Sequence, residues 1–491
     1  VPGLHGAAAG TTLDLLRLLG YPAAEEVLGP SVRPLARLLA IEDRWAPAHW
    51  DEWDRLYEHN RSLVLMASVG SLKSSWMVLL KARRILQDPA HTTILHASST
   101  DRLARRMVMQ LQGLLTSAPI VEVFGDLEGD LWNSGEFAVR GHDPLIKTPT
   151  CVAVGVGGAI EGDRFLEGHM DDPLELQDAV SEVTREAKVL WYRQTFFNRI
   201  NWYDQRARLL AIGSRWHRND LYHQMAFSAE GQPTADVAYR VFPAILEGGA
   251  MGFPDLYSAK VLRGIRDRIG QTAFDMRYQC SATAMEGQLF KVAWLANFWA
   301  DQGQVPPWSE LDIVQGWDLA FTEKHLVGPV GKPKTDPDWT VCVTLGIHRP
   351  RSGEGPTRFW LLHLYRVQIA GGHKRHIEAL WQKFRPRKVY VEVNAYKTIK
   401  WEFSDSMVPL QWVDQNVNKV VRIMDLQPYF ERDLFRMQRD LKHADALFHE
   451  YEQFPHGAHE DVLDALRTSL RGYIDEGEEW FGSLRPAGGR V

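Results

Sequence analysis

A lysine-bearing turn, Gly70-Ser71-Leu72-Lys73-Ser74-Ser75, stands well ahead of two adjacent carboxylates, Asp171 and Asp172. A lysine for nucleotide phosphates, a hydroxyl for Mg²⁺ and a later acidic pair are the parts of an ATP-hydrolysing site. Further along come Asp318, Glu392, Asp461 and Asp464. Two-metal phosphodiester cleavage needs three or four converging carboxylates, and an all-oxygen ligand set favours Mg²⁺ or Mn²⁺. The residue types therefore suggest two chemistries in series, nucleotide hydrolysis and metal-dependent hydrolysis of a nucleic-acid backbone.

The elements that must position these groups can be read from apolar patterning. Between 46 and 260 the runs SLVLMAS, TTILHAS, TCVAVGV and ARLLAIGS look like buried parallel strands, separated by stretches long enough for crossover helices. This predicts a doubly wound α/β domain. Lys73 follows the first strand and precedes the helical run SWMVLLKARRIL, the context a phosphate loop requires. The loop departs from GxxxxGK[ST], however: Ala67 and Leu72 occupy its glycine positions, leaving Gly70 inside. A side chain at 72 is expected to narrow or reshape the loop. The stretch before the acidic pair, FLEGHM, is less apolar than a buried strand should be, so a surface turn closed by Pro173 is the alternative. IGSRWHRNDL, 212–221, either senses the γ-phosphate or is a loop in which Asp220 starts a helix.

A bridging stretch, 261–305, leads to a second α/β unit over 306–475. Its strands are DIVQGWDLA, WTVCVTLGI, FWLLHLYRV and KVYVEVN, the early ones joined as hairpins in a mixed sheet, with a helix over HEDVLDALRTSLRGYI. A first strand acid (Asp318), a second strand acid (Glu392) and late helical acids (Asp461, Asp464) are the arrangement of a ribonuclease H-like nuclease domain. Asp318 and Glu392 are charged residues in apolar runs, which is unfavourable without a partner or a metal. Asp461 and Asp464 share a helical face; Asp461 is the preferred ligand, and Asp464 is a ligand or a supporting group. Asp338 is read as a turn residue or auxiliary ligand, and His459 as an outer ligand, a proton carrier or neither. Lys397, Lys419 and Arg422 are candidate phosphate contacts.

The 491 residues suit two large domains. Residues 1–45 read as a helical extension and 476–491 as a flexible tail. Hydrophobic content of 45% and charged content of 24% suit a soluble globular protein, with no membrane-spanning run or secretory signal evident. Three separated cysteines lack metal-ligand spacing and point to a reducing compartment. The formal net charge of −6 argues against a protein coated in basic residues, though a cycling motor needs only a local basic channel. Most of the 18 tryptophans are expected in cores rather than as base-stacking platforms.

The ordered set GSLKSS, EGDRFLEGHMDDPLE, IGSRWHRNDL and FDMRYQCSATAMEGQLFKVAW resembles the large terminase subunit of tailed bacteriophages. The resemblance runs from about residue 46 to 475. It implies a P-loop ATPase-type sheet domain followed by a ribonuclease H-like nuclease domain. It further implies that Lys73 and Ser74 bind phosphate and Mg²⁺ within a loop of Gly70, Ser71 and Ser75, and that Asp171 holds Mg²⁺. Asp172 would be the catalytic carboxylate and Arg164 a finger offered to a neighbouring subunit. Asp318, Glu392, Asp461 and Asp464 would form the nuclease metal centre. The implied cofactors are ATP and Mg²⁺, with Mn²⁺ possible at the nuclease. The implied partners are double-stranded DNA, the procapsid portal, a small terminase subunit and further copies in a ring, with no membrane. The place of action would be the host cytoplasm, transiently the portal vertex. Two alternatives stay open: a nuclease with a degenerate, regulatory nucleotide-binding domain, and a scaffold whose acidic clusters are structural.

Overall fold

The structure, a computed structural model, describes residues 28–40, 47–160, 162–228, 231–284, 286–320, 339–350, 355–369, 371–392, 399–414, 417–457 and 459–474. Asp338, Lys397, the tail 476–491 and most of the extension 1–45 lie outside the described residues; within the extension, Arg33–Leu38 is a short helix. The chain divides into two compact units, Val1–Arg266 with Thr272–Met285, and Asp267–Gln271 with Glu286–Val491. No single described helix is long and apolar enough to cross a membrane.

Unit 1 is built on eight strands: β1 (Ser62–Ala67), β2 (Ile94–Ser98), β3 (Glu128–Trp132), β4 (Glu136–Val139), β5 (Cys151–Gly155), β6 (Glu167–Asp171), β7 (Arg208–Gly213) and β8 (Ala238–Phe242). They lie in the order β3-β4-β5-β2-β6-β7-β1-β8, parallel except for β3 and β4 at one edge. This is the doubly wound sheet expected. Helices α1 (His49–His59), α2 (Lys73–Gln87), α3 (Asp101–Leu115) and α4 (Leu221–Ala226) pack around it. β1 is buried at every position, as a central parallel strand covered on both faces must be. Trp50, Trp53 and Trp76 are fully buried in its core, as expected for anchors.

β6 corrects the reading of FLEGHM as too polar for a buried strand: all five of its residues are buried. Its most buried charge is met from three sides. Glu167 accepts from Tyr57 Oη at 2.6 Å, Arg84 Nε at 2.6 Å and His169 Nε2 at 2.9 Å. Burial pushes the Glu167 carboxyl up, but Arg84 and His169 outweigh it and hold it well below the usual range. A buried charge is tolerated when it is paired and fully hydrogen-bonded.

Unit 2 has β9 (Trp299–Ala300), β10 (Leu311–Asp318), β11 (Thr340–His348), β12 (Arg358–Val367), β13 (Lys388–Glu392), β14 (Leu410–Val413) and β15 (Phe435–Gln438), ordered β14-β13-β10-β11-β12-β15-β9. β10, β11 and β12 are antiparallel, and β13 runs parallel to β10, giving the mixed sheet expected of a ribonuclease H-like unit. The register Trp317↔Val391 sets Asp318 and Glu392 side by side at the ends of adjacent strands. Three helices matter for the site: α5 (Lys419–Met424), α6 (Ala444–Gln453) and α7 (Asp461–Ser469).

α7 lies directly on the sheet because position 316 has no side chain. A Cβ on Gly316 would come within 2.2 Å of Ser469 N and 2.3 Å of Ala465 O, both backbone atoms of α7. Gly316→Ala is expected to destabilise unit 2 by about 1–3 kcal/mol through overpacking. Faster hydrogen exchange in β10 and α7 would report it, while Gly371→Ala, with open space around it, should exchange like wild type.

Candidate functional site

In unit 1 the carboxyl ends of β1, β7 and β6 lie side by side, through the pairs Leu65↔Ile212 and Asp171↔Ile212. This is where parallel α/β sheets bind ligands. The loop after β1 turns through Gly70 at φ +78° and Leu72 at φ 62°. The expected obstruction at Leu72 is therefore not what the structure shows. Leu72 adopts the left-handed conformation a glycine would supply, at about 1–2 kcal/mol for a residue with a Cβ, and its side chain packs against the core. The amides of Ser68, Val69 and Ser71 are taken by the carbonyls of Phe242, Arg277 and Ser68. The first turn of α2 carries no side-chain cap, so the amides of Lys73, Ser74 and Ser75 are donors of the kind that bind anions at a helix start. The loop is held from outside: Tyr257 Oη donates to Val69 O, and His49 Nε2 contacts Ser71 O at 2.9 Å.

Lys73 Nζ lies 3.1 Å from Asp172 Oδ2. Burial pulls the ammonium down, but Asp172 and Asp171 outweigh it and the net shift is upward. Asp171, at the end of β6, is hydrogen-bonded by the Ser74 side chain, while its buried Oδ1 has no hydrogen-bond partner. Burial and the Asp172 charge push Asp171 up to about 6, against the pull of Lys73. An unsatisfied carboxylate oxygen beside a serine hydroxyl fits Mg²⁺ bound through oxygen and water. Asp172 sits at φ 42° and accepts from Ser214 N at 3.1 Å. Gly213 makes room for this: a Cβ there would meet Tyr222 Oη at 1.9 Å and Asp172 Oδ1 at 2.8 Å.

Two other groups fall elsewhere. Arg215, in the segment read as a γ-phosphate sensor, is buried and committed to Asp220 at 3.0 Å and to Tyr239 Oη. Asp220 also caps α4 by accepting from His223 N at 3.1 Å. The segment is thus the capped loop of the alternative reading, and it reaches the site through Ser214. Arg164 is exposed before the amino end of β6, with its guanidinium on Asn198 O. At about 3.3 Å per residue it stands on the order of 20 Å from Asp171 in its own chain.

In unit 2, Asp318, Glu392 and Asp464 offer oxygens that all lie within 4.8 Å of one another. Asp464 Oδ1 is buried without a hydrogen-bond partner. Three convergent carboxylates with an open lone pair fit a hard divalent cation. This reverses the preference for Asp461 over Asp464. Asp461 borders the trio, with Oδ2 3.4 Å from Trp339 N and 3.6 Å from His459 Nδ1. Lys419 and Arg422, the candidate phosphate contacts, enter the acidic cluster, Lys419 Nζ 2.7 Å from Asp461 and 3.1 Å from Asp318, Arg422 2.7 Å from Asp464 and 3.1 Å from Glu392. Burial pushes Asp318 up to about 6 despite Lys419, and pushes Asp464 well above the carboxylate range with help from Asp318 and Glu392.

Glu450 of α6 was missed altogether. Its Oε2 accepts from Val462 N at 2.8 Å and Leu463 N at 3.0 Å, anchoring the start of α7.

No family model matches the sequence, and no curated protein matches it. Among solved structures, the chain is similar to the large terminase of a thermophilic bacteriophage in complex with ADP, at 11% identity and TM-score 0.48, over 85% of this chain and 95% of that one. It is also similar to the HK97 bacteriophage large terminase, at 10% identity and TM-score 0.31, over 84% and 91%. The human cytomegalovirus terminase nuclease domain, Mn soaked and inhibitor bound, matches 38% of this chain and 96% of its own length at 10% identity and TM-score 0.28. At these values the site geometry, not the likeness, has to carry a functional reading.

Burial raises the Glu450 carboxyl to about 8, against the Leu463 and Val462 amides. The folded-state value lies above the ordinary glutamate value of about 4.3. Its contribution to stability is therefore full below that value and lost as pH rises towards 8. Glu450→Gln, which cannot ionise, should melt above wild type at pH 8. Melting curves of the two proteins should converge on acidification, the gap closing by up to about 1.4 kcal/mol per pH unit.

Proposed function

We propose that the chain is an ATP-driven DNA-packaging motor fused to a metal-dependent endonuclease, the large terminase role. The observation that carries this is the pairing of two centres in one chain. Ser74 and Lys73 meet Asp171 and Asp172 at the carboxyl edge of one sheet, and Asp318, Glu392 and Asp464 converge at the end of the other.

In unit 1, Lys73 and the first amides of α2 would hold the β/γ-phosphates, while Ser74 and Asp171 hold Mg²⁺. Asp172, now paired with Lys73, would be released when phosphate takes the lysine, and would orient the attacking water. The Ser214 amide on Asp172 ties that carboxylate to the loop ahead of α4, a route by which hydrolysis can move a DNA-facing surface. In unit 2, Asp318, Glu392 and Asp464 would hold a divalent ion, Mg²⁺ or Mn²⁺, which when bound supplies Lewis acidity and an activated water. Double-stranded DNA is the proposed track and substrate. Portal, small subunit and a ring of copies are the proposed partners, in the host cytoplasm and at the procapsid vertex.

Crossed substitutions test the two halves. Lys73→Ala should lower ATP turnover at least about 100-fold, the usual loss of a transition-state electrostatic group, and leave Mn²⁺-dependent plasmid cleavage intact. Asp318→Ala should do the reverse. Equal ATP turnover in wild type and Lys73→Ala would favour the regulatory nucleotide-binding alternative.

The distance of Arg164 from its own site suits only a trans role. Arg164→Ala and Lys73→Ala proteins, each inactive alone, should regain ATP turnover when mixed, because a mixed interface pairs an intact finger with an intact loop. A mixture as inactive as its parts would remove Arg164 from the mechanism.

A further inference from the structure

The acidic centre of unit 2 already contains positive charge from its own chain, and the two cations there are not equivalent. The Arg422 guanidinium bridges Glu392 Oε1 at 3.1 Å and Asp464 Oδ2 at 2.7 Å, with its side chain 6% exposed. A planar fork shared between two carboxylates is a fixed structural brace. The Lys419 ammonium is a compact charge on a flexible stem, 31% exposed, lying 2.7 Å from Asp461 Oδ1, 3.1 Å from Asp318 Oδ2 and 3.8 Å from Asp464 Oδ2. Both come from α5, whose start is set by the Asn418 side chain accepting from Val420 N at 2.9 Å.

The carboxylates divide in the same way. Asp318, Glu392 and Asp464 form the set whose oxygens fall within 4.8 Å of one another, and Asp461 is not a member. An ion with Mg–O distances of about 2.1 Å holds opposite ligand oxygens about 4.2 Å and adjacent ones about 3.0 Å apart, so this trio would close around one by rotation of its side chains. Asp461 instead has Oδ1 on Lys419 and Oδ2 facing Trp339 N at 3.4 Å. A second divalent ion in a paired-metal centre would have to bridge Asp318 and Asp461. That is the place the ammonium occupies.

We infer that this centre takes a single divalent cation, held by Asp318, Glu392 and Asp464, and that Lys419 serves as the second positive charge between Asp318 and Asp461. The inference rests on the nuclease reading above and specifies its metal complement. An ammonium cannot bind water as a ligand but donates up to three hydrogen bonds. One divalent ion held by the trio would supply the activation of water, and Lys419 would neutralise and orient a phosphate oxygen beside it.

Counting bound Mn²⁺ by electron paramagnetic resonance and calorimetry tests this without reference to cleavage. The full chain carries Asp171→Asn, so that unit 1 does not contribute an ion. Expected are one Mn²⁺ per chain in that background and two when Lys419→Met is added, with the spin coupling of ions about 3.5–4 Å apart. Lys419→Arg, which keeps the charge, should stay at one. Two ions with Lys419 present, or one ion with and without it, would overturn the inference. No Mn²⁺ bound in any of the proteins would remove the nuclease reading along with it. If Lys419→Met does not fold, the count with Lys419 present still decides, since two ions there contradict the proposal.

Discussion

Carboxylate charge carried into the ends of two sheets has to be balanced, and much of the local structure of both units is the means of balancing it. Breaking a buried ion pair by removing one partner costs about 3–5 kcal/mol, so each acid in these cores fixes the place of a cation. Glu167 sets Arg84 and Asp220 sets Arg215; the half-exposed Asp172 pairs with the buried Lys73 at a smaller cost. In unit 2 the acids draw α5 onto the sheet end through Lys419 and Arg422, and Asp425 of the same region holds Arg467 of α7 at 2.8 Å. The groups of both clusters are thus held in place by their own opposite charges.

The turn after β1 shows how a backbone conformation can be held without the residue type that favours it. A glycine would reach φ 62° freely; Leu72 reaches it under strain and recovers part of the loss by packing its side chain on the core. Tyr257 and His49 grip the loop carbonyls on either side of Gly70, and a Cβ at Gly70 would strike the Tyr257 hydroxyl at 2.1 Å. The loop keeps its turn because its surroundings over-determine it, not because its own sequence prefers it.

The central strands were legible because a strand covered on both faces leaves an unbroken apolar run, as SLVLMAS and ARLLAIGS do. β6 was harder, since Glu167 looks wrong in a buried strand until Tyr57 and Arg84, distant in sequence, are seen to satisfy it. The acids of the candidate metal centre were visible as charges in apolar runs, but that both strands end on them was not. Which helical acid converges was not visible, because Asp461 and Asp464 share a face of α7 one turn apart. The same limit applied to Lys419 and Arg422: a basic pair on a short helix reads as surface until the partner carboxylates are placed. Edge strands such as β8, β9 and β14 are short and carry little periodicity of their own.

The contact at Gly316 bears on the spacing of the two acid-bearing elements. Because the backbone of α7 rests on the backbone of β10, no rotamer lies between the strand that carries Asp318 and the helix that carries Asp464. Their main-chain separation is set by van der Waals radii rather than by side-chain packing, and only the rotamers of the two aspartates remain to adjust their oxygens. Residue 316, which carries no charge and no side chain, thereby decides how near a strand acid and a helix acid can stand.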